Sequence, residues 1–179
     1  MIFYLFILLL IAQRIGELVL ARNNEERMKK EGGLEFGMSH YPWIVLLHLG
    51  FFISLFAEYK LFDQKPSSYW MIWLSLFLLA QVGRVWVISS LGQYWNTKII
   101  VMPSADPVSR GPYKYIKHPN YVIVAVEIIV ISLLFNAYIT AIIFSCLNVW
   151  MMSIRIPIEE RALSNLTSYA GHNLKSNKK

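Results

Sequence analysis

The sequence predicts an all-α integral membrane protein of about five transmembrane helices, the last two forming a tight helical hairpin. Three observations predict it. Hydrophobic residues make up 56% of the 179-residue chain and charged residues only 16%, a balance unlike that of soluble domains. The apolar residues gather in four long runs. The Lys and Arg residues alternate between rich and poor connecting segments, as they do in a chain that crosses a bilayer repeatedly.

The first run is Ile2–Ala21. No basic residue precedes it and no small-x-small site follows it, so it is expected as a retained membrane helix rather than a signal peptide. Arg14 and Glu17 lie three apart within it and are expected to pair. The second run is Trp43–Tyr59, with His40-Tyr41-Pro42 marking its start. The third is Trp70–Leu91, which contains Arg84. The fourth, Tyr121–Ile156, has 36 residues. That is too long for one span of about 20 residues and slightly short for two. Asn136 sits near its middle, so a turn is expected at Phe135–Tyr138. Proline suits the first position of a helix, which places a helix start at His118-Pro119. Pro157 is expected to kink the last helix where it leaves the membrane. In lipid the backbone must satisfy its own hydrogen bonds, which makes helices the expected form of all these runs.

The segment Arg22–His40 carries four Lys or Arg, Lys60–Tyr69 two, Gly92–Asn120 four, the hairpin turn none, and the tail from Arg155 five. By the positive-inside rule the N-terminus is expected outside, with both long loops and the C-terminus in the cytoplasm. The chain is expected as a single membrane domain, 1–179. Residues 1–91 form a three-helix N-terminal part, and 92–179 carry the polar motifs. The net charge of +6 is accounted for by topology. No basic stretch is long enough or separate enough to suggest nucleic acid. The one cysteine, Cys146, allows no disulfide within the chain and is expected to be buried in packing. His40 and His48 lack partners at ligand spacing, so no metal is expected. Alternating strands and helices are absent, which excludes the soluble dinucleotide and methyltransferase folds. The polar end of the chain, Ser164–Lys179, is expected to fray.

Two polar clusters carry the chemistry, and the loop charges put both on one side of the membrane. The first is Arg110-Gly-Pro-Tyr-Lys-Tyr-Ile-Lys-His-Pro-Asn-Tyr121. A helix that starts at Pro119 offers free N–H groups and a positive dipole end, which suit a carboxylate or phosphate. The tyrosines could supply aromatic faces for a ring or an onium cation; an interfacial tyrosine belt with a helix cap would use the same residues. The second is Arg155-Ile-Pro-Ile-Glu-Glu160. Arg155 and Glu159 share a helix face, and this fits either an ion-paired helix end or a binding group. Arg84 and Glu127 lie at membrane depth, where charge is costly; structural and functional roles both stay open for them.

Taken together, Gly111-Pro-Tyr113, Lys-His-Pro-Asn-Tyr121 and Arg155-Ile-x-x-Glu-Glu160-x-x-Leu163 resemble the signature of the isoprenylcysteine carboxyl methyltransferase family. That family is related to the membrane phospholipid methyltransferases. Its usual form is Gly-Pro-Tyr, Arg-His-Pro-x-Tyr and Arg-Ile-x-x-Glu-Glu. Gln13-Arg14-x-x-Glu17-Leu18, with Arg22-Asn23 and His40-Tyr41-Pro42, is similar to its small prokaryotic branch. The resemblance implies S-adenosylmethionine (SAM) as cofactor, in a cytoplasmic pocket capped by loops. It also implies a lipophilic small-molecule substrate entering from the bilayer. By motif, Tyr113, His118, Pro119, Asn120, Tyr121, Glu159 and Glu160 would bind the cofactor. Lys98, Asp106, Pro107 and Val108 fall where other members touch it, and Arg155 would face the acceptor as the catalytic residue. Two departures stand out. Lys117 replaces the usual Arg, and the tail pattern is reduced to Leu166-Thr-Ser-Tyr169-Ala-Gly.

The implied reaction is O-methylation of an acidic oxygen, a carboxylate or an enol or phenol hydroxyl. The substrate would be an isoprenylcysteine analogue or an alkylpyrone. Two alternatives come from other classes. One is an NADPH-dependent enzyme like the sterol reductases, with Lys98, Arg110, Lys114 and Lys117 reading the phosphate. The other is a small non-enzymatic transporter with Arg84 and Glu127 as a pathway pair.

Overall fold

The computed structural model describes residues 1–103 and 105–167. The tail motif at Tyr169–Gly171 and the expected fraying of the chain end lie outside these residues. The described chain is all-helical apart from one short ribbon: α1 (Ile2–Lys30), β1 (Leu34–Phe36), α2 (Tyr41–Leu61), α3 (Trp70–Leu91), β2 (Ile99–Val101), α4 (Pro119–Leu134) and α5 (Tyr138–Leu166). Single 3-10 turns occupy Gly92–Tyr94 and Gly111–Lys114. Helices α1, α2, α3 and α5 are long and apolar enough to cross a membrane. Helix α4 is apolar but has 16 residues, about 24 Å at 1.5 Å per residue. The sequence suggested five full spans. Pro119 and the turn after Leu134 fix both ends of α4 and leave it shorter than the other four.

The chain groups into two compact units. One comprises 1–41, 91–109 and the C-terminal part from Ile154; the other comprises 42–90 and 110–153. The N- and C-terminal parts seen in the sequence interleave in both.

In the first unit, α1 runs past the apolar stretch to Lys30, through residues expected in a loop. The Glu25–Lys29 pair at i,i+4 spacing supports it at 2.6 Å, and Arg22–Glu26 and Arg27–Glu31 approach more loosely on the exposed face. Asn24 is buried and donates from Nδ2 to the carbonyls of Gly92 and Trp95 at 3.1 and 2.8 Å. Asn96 returns a bond to the Ala21 carbonyl at 3.2 Å. β1 and β2 pair antiparallel, Glu35 opposite Ile100. Three-residue strands are too short to show a period of two in sequence, and this ribbon was not foreseen. Its Ile99 and Val101 pack with Ala162, Ile158 and Leu163 of α5. Helix α5 continues through Pro157 to Leu166, where a kink was expected.

In the second unit, α4 and α5 form the expected hairpin. Asn136 takes the left-handed conformation, φ 55°, which asparagine tolerates better than most residues. Ala137 N–H bonds back to the Ser132 carbonyl at 2.8 Å and Asn136 N–H to that of Leu133 at 3.3 Å, a left-handed helix C-cap. Glu58 on α2 holds the start of α5. Its carboxylate accepts from the N–H groups of Ile139 and Thr140 at 3.0 and 2.7 Å and from the Thr140 hydroxyl at 2.7 Å. Arg84 on α3 pairs with Glu127 on α4. The rings of Phe51 and Phe144 pack edge to face, with centroids 5.7 Å apart. Cys146 is exposed on α5, not buried as expected. It lies on a helix whose apolar surface, including Ile142 and Val149, points outward, as lipid-facing residues do.

Candidate active site

The motif residues divide between the two units, and each group has its own geometry. In the second unit the Gly-Pro-Tyr motif forms the 3-10 turn at Gly111–Lys114. Gly111 has φ 59° and leaves no room for a Cβ against Ser90 and Trp86, so glycine is required there. Arg110 donates from Nε to the Ser90 carbonyl at 2.8 Å, which fixes the turn's first residue. Tyr113 is half-buried, while Lys114 and Lys117 are exposed.

His118 and Pro119 begin α4 as expected, with Pro119 buried at the first helical position. Among the described residues no side chain caps this helix end; Pro119 has no N–H and the Tyr121 N–H bonds back to the His118 carbonyl at 3.1 Å, so the Asn120 N–H and the helix dipole are what it offers an anion. The His118 and Tyr121 rings stack, centroids 5.3 Å apart and planes 14° from parallel. The Asn120 Oδ1 atom is buried and has no hydrogen-bond partner among the described residues. An isolated buried acceptor of this kind is costly.

In the first unit, Arg155 is buried and donates from Nη2 to the Thr97 carbonyl at 2.7 Å. Glu159 and Glu160 are partly buried on α5. Asp106 is exposed and Pro107 and Val108 partly buried, in a stretch without regular structure. Lys98 sits between carboxylates: its Nζ is 2.7 Å from Glu25 and 3.4 Å from Glu35. Lys29 joins the same two, at 2.6 Å from Glu25 and 2.5 Å from Glu35. The hydrogen bond that Lys98 donates to Glu25 holds its ammonium above the usual lysine range, with burial opposing. Its ammonium also lies over the Tyr41 ring at 5.5 Å. Sequence reasoning placed Lys98 near a ligand. It missed Glu25, Glu35, Tyr41 and Thr97, whose partners are distant in the chain.

Beside these residues is an open cleft of about 460 Å³, lined by Leu18, Arg22, Glu25 and Glu26 of α1 and by Tyr41, Thr97 and Lys98. His40, next to Tyr41, is buried, and its Nδ1 has no hydrogen-bond partner among the described residues. Gly37, at φ 65°, leaves no room for a Cβ against the imidazole. Burial, and then the charge of Arg155, push the His40 pKa down. In the unfolded chain His40 takes a proton as pH falls through about 6.5, and the folded protein resists doing so. The unfolded state then binds more protons, so stability falls as the solution is acidified. Melting temperatures recorded across that window should drop for the wild type, and His40→Gln should flatten the drop. An unchanged slope in the variant would locate the titration elsewhere.

Among the described residues no group of His, Cys, Asp and Glu could hold a metal ion. Arg14 and Glu17 form the expected pair at 2.7 Å.

Comparison with known proteins supplies the remaining identification. The profile of the isoprenylcysteine carboxyl methyltransferase (ICMT) family matches residues 73–165, a stretch that contains every motif residue from Lys98 to Glu160. The chain is 48% identical over 161 residues to the uncharacterized protein YpbQ of Bacillus subtilis (strain 168), covering 90% of this chain and 96% of that one. It is 25% identical over 158 residues to an uncharacterized protein of Haemophilus influenzae, covering 88% and 92%. No solved structure matches. With the motifs, the membrane helices and the profile in agreement, the chain belongs to the isoprenylcysteine carboxyl methyltransferase family.

Proposed function

We propose that this protein is a SAM-dependent membrane O-methyltransferase. Its acceptor is an acidic oxygen on a lipophilic substrate, such as an isoprenylcysteine analogue or an alkylpyrone. The observation that carries the reading is the start of α4. A helix end with no side-chain cap, a stacked His118–Tyr121 pair and a buried Asn120 oxygen with no hydrogen-bond partner among the described residues occur together there. These groups fit the cofactor's parts. The helix end suits its carboxylate, the aromatic faces suit its ring or sulfonium, and the Asn120 oxygen suits an N–H donor. When bound, SAM supplies an electrophilic methyl group.

In the second unit Tyr113, His118, Pro119, Asn120 and Tyr121 would hold the cofactor. The family motif gives the same role to Glu159 and Glu160 in the first. Arg155 would orient an acceptor oxyanion, since its planar fork suits a carboxylate or enolate. Its hydrogen bond to the Thr97 carbonyl restrains the guanidinium, which limits the entropy lost on binding. An acceptor that is already ionised needs no general base, so alignment and charge supply the rate. The loop charges favour a cytoplasmic C-terminus and cofactor pocket with the N-terminus outside. The NADPH reading is less well supported. Lys98 is already held by two carboxylates and Arg110 by a carbonyl, which leaves fewer cations for a phosphate.

Calorimetric titration of the detergent-purified protein tests the cofactor. SAM is expected to bind, and His118→Ala and Glu159→Gln should each weaken it by about tenfold or more, the loss of one good contact of roughly 1.4 kcal/mol. Methyl-labelled SAM with a farnesyl-cysteine analogue, a fatty acid, an alkylpyrone and phosphatidylethanolamine then tests the acceptor. Arg155→Lys should lose turnover while keeping SAM affinity. A folded protein that ignores SAM sinks the reading, and amine methylation as the main reaction sinks the anionic acceptor.

A further inference from the structure

The cleft in the first unit has a chemistry of its own. It opens one turn beyond the apolar stretch of α1, which ends at Ala21. Twenty helical residues cover about 30 Å, the thickness of the hydrocarbon core, so the cleft lies at the level of lipid headgroups. Ile11, Ile15 and Leu18 are spaced four and three apart and share one face of α1. All three are exposed, at 39, 56 and 49%. The next residue on that face is Arg22, and Leu18 itself lines the cleft. An apolar track therefore leads along the helix into a charged recess.

The charges in the recess are balanced. Arg22 and Lys98 are cationic, Glu25 and Glu26 anionic. Arg22 approaches Glu26 only through Nε, at 3.4 Å, too long for a strong bond. Among the described residues its two terminal nitrogens have no partner, nor does the second oxygen of Glu26. Tyr41 and Thr97 bring two hydroxyls, 3.2 Å apart. A phosphate alone would face the carboxylates, and an ammonium alone would face the cations. A headgroup that carries both charges satisfies both sets.

We propose that this cleft binds an amino-phospholipid of the phosphatidylethanolamine type. Its phosphate lies against Arg22 and the two hydroxyls, its ammonium against Glu26 and Glu25. One chain follows Ile11, Ile15 and Leu18. A primary ammonium donates hydrogen bonds to carboxylates; a trimethylammonium cannot. Phosphatidylethanolamine is therefore preferred over phosphatidylcholine, and the carboxylates select against a purely anionic lipid such as phosphatidylglycerol.

Native mass spectrometry of the delipidated protein in detergent reads this directly, titrating each of the three lipids in turn. Phosphatidylethanolamine should bind about fivefold more tightly than either of the others. Arg22→Gln and Glu26→Gln should each bring it down to the level of phosphatidylcholine. Both side chains are largely exposed, at 80 and 59%, so the variants should melt like the wild type. Soluble glycerophosphoethanolamine, which lacks the chains, should compete poorly. Equal affinity for the three lipids, tighter binding of phosphatidylglycerol, a preference that survives both substitutions, or displacement of the lipid by SAM would each overturn the assignment. SAM is absent from the main titrations, so the result does not depend on whether the protein transfers methyl groups.

Discussion

Replacing Glu127 by glutamine should destabilise the folded protein by about 3–5 kcal/mol, the cost of stranding one partner of a buried ion pair. Arg84 and Glu127 are 2 and 3% exposed. Arg84 Nε donates to Glu127 Oε1 at 2.9 Å, its Nη2 pairs with Oε2, and Gln81 Nε2 adds a bond at 2.8 Å. The contact is bidentate, so glutamine cannot replace it: its amide would point a donor at a guanidinium that only donates. Arg84→Met should cost a similar amount by leaving the carboxylate alone. The double variant Arg84→Met/Glu127→Gln removes both charges and should recover much of the loss. Reversible unfolding in mixed micelles measures all four proteins. A double variant as unstable as the sum of the singles would mean that the pair holds the helices in some way beyond mutual neutralisation.

Glu58→Ala should cost about 2–4 kcal/mol. It removes three charge-assisted hydrogen bonds at the start of α5, and a lost cap alone is worth about 1 kcal/mol. The two N–H groups it leaves lie beside apolar surface, where water replaces the carboxylate poorly. Glu58→Gln keeps an acceptor oxygen and should cost less than half as much. Hydrogen exchange at Ile139 and Thr140 should quicken far more than at the far end of α5. Uniform exchange along α5 would mean that the carboxylate is not a local cap.

These two carboxylates show what the sequence can and cannot disclose. Runs of apolar residues announce membrane helices because the bilayer imposes one length and one composition on them. The hairpin turn at Asn136 and the start at Pro119 could be read for the same reason: each is a backbone event decided by a single residue type. Glu58 gave no sign of its role. It caps a helix through Ile139, 81 residues further along, and such a partnership leaves no trace in local spacing. The Glu25–Lys98 and Arg155–Thr97 contacts were hidden in the same way. α1 outran its expected end because i,i+4 charge pairs imitate a solvated loop in composition while supporting a helix in geometry. The motif residues were legible as residue types, but Lys98 illustrates the limit of a motif. The family resemblance set it where a cofactor would be touched, and the fold places the carboxylates of Glu25 and Glu35 beside it.

The shortness of α4 has a consequence for the membrane itself. At about 24 Å it falls roughly 6 Å below an average hydrocarbon core. Where α4 crosses a bilayer, the lipid next to it would thin, or headgroups and water would dip toward one of its ends. Pro119 fixes one end and the Asn136 turn the other, so the helix cannot lengthen to meet a thicker membrane. Such hydrophobic mismatch costs a fraction of a kcal/mol per ångström. That is enough to draw shorter-chain lipids to the helix that begins at His118, and to let polar groups at that end meet lipid at a depth that a full-length span would keep dry.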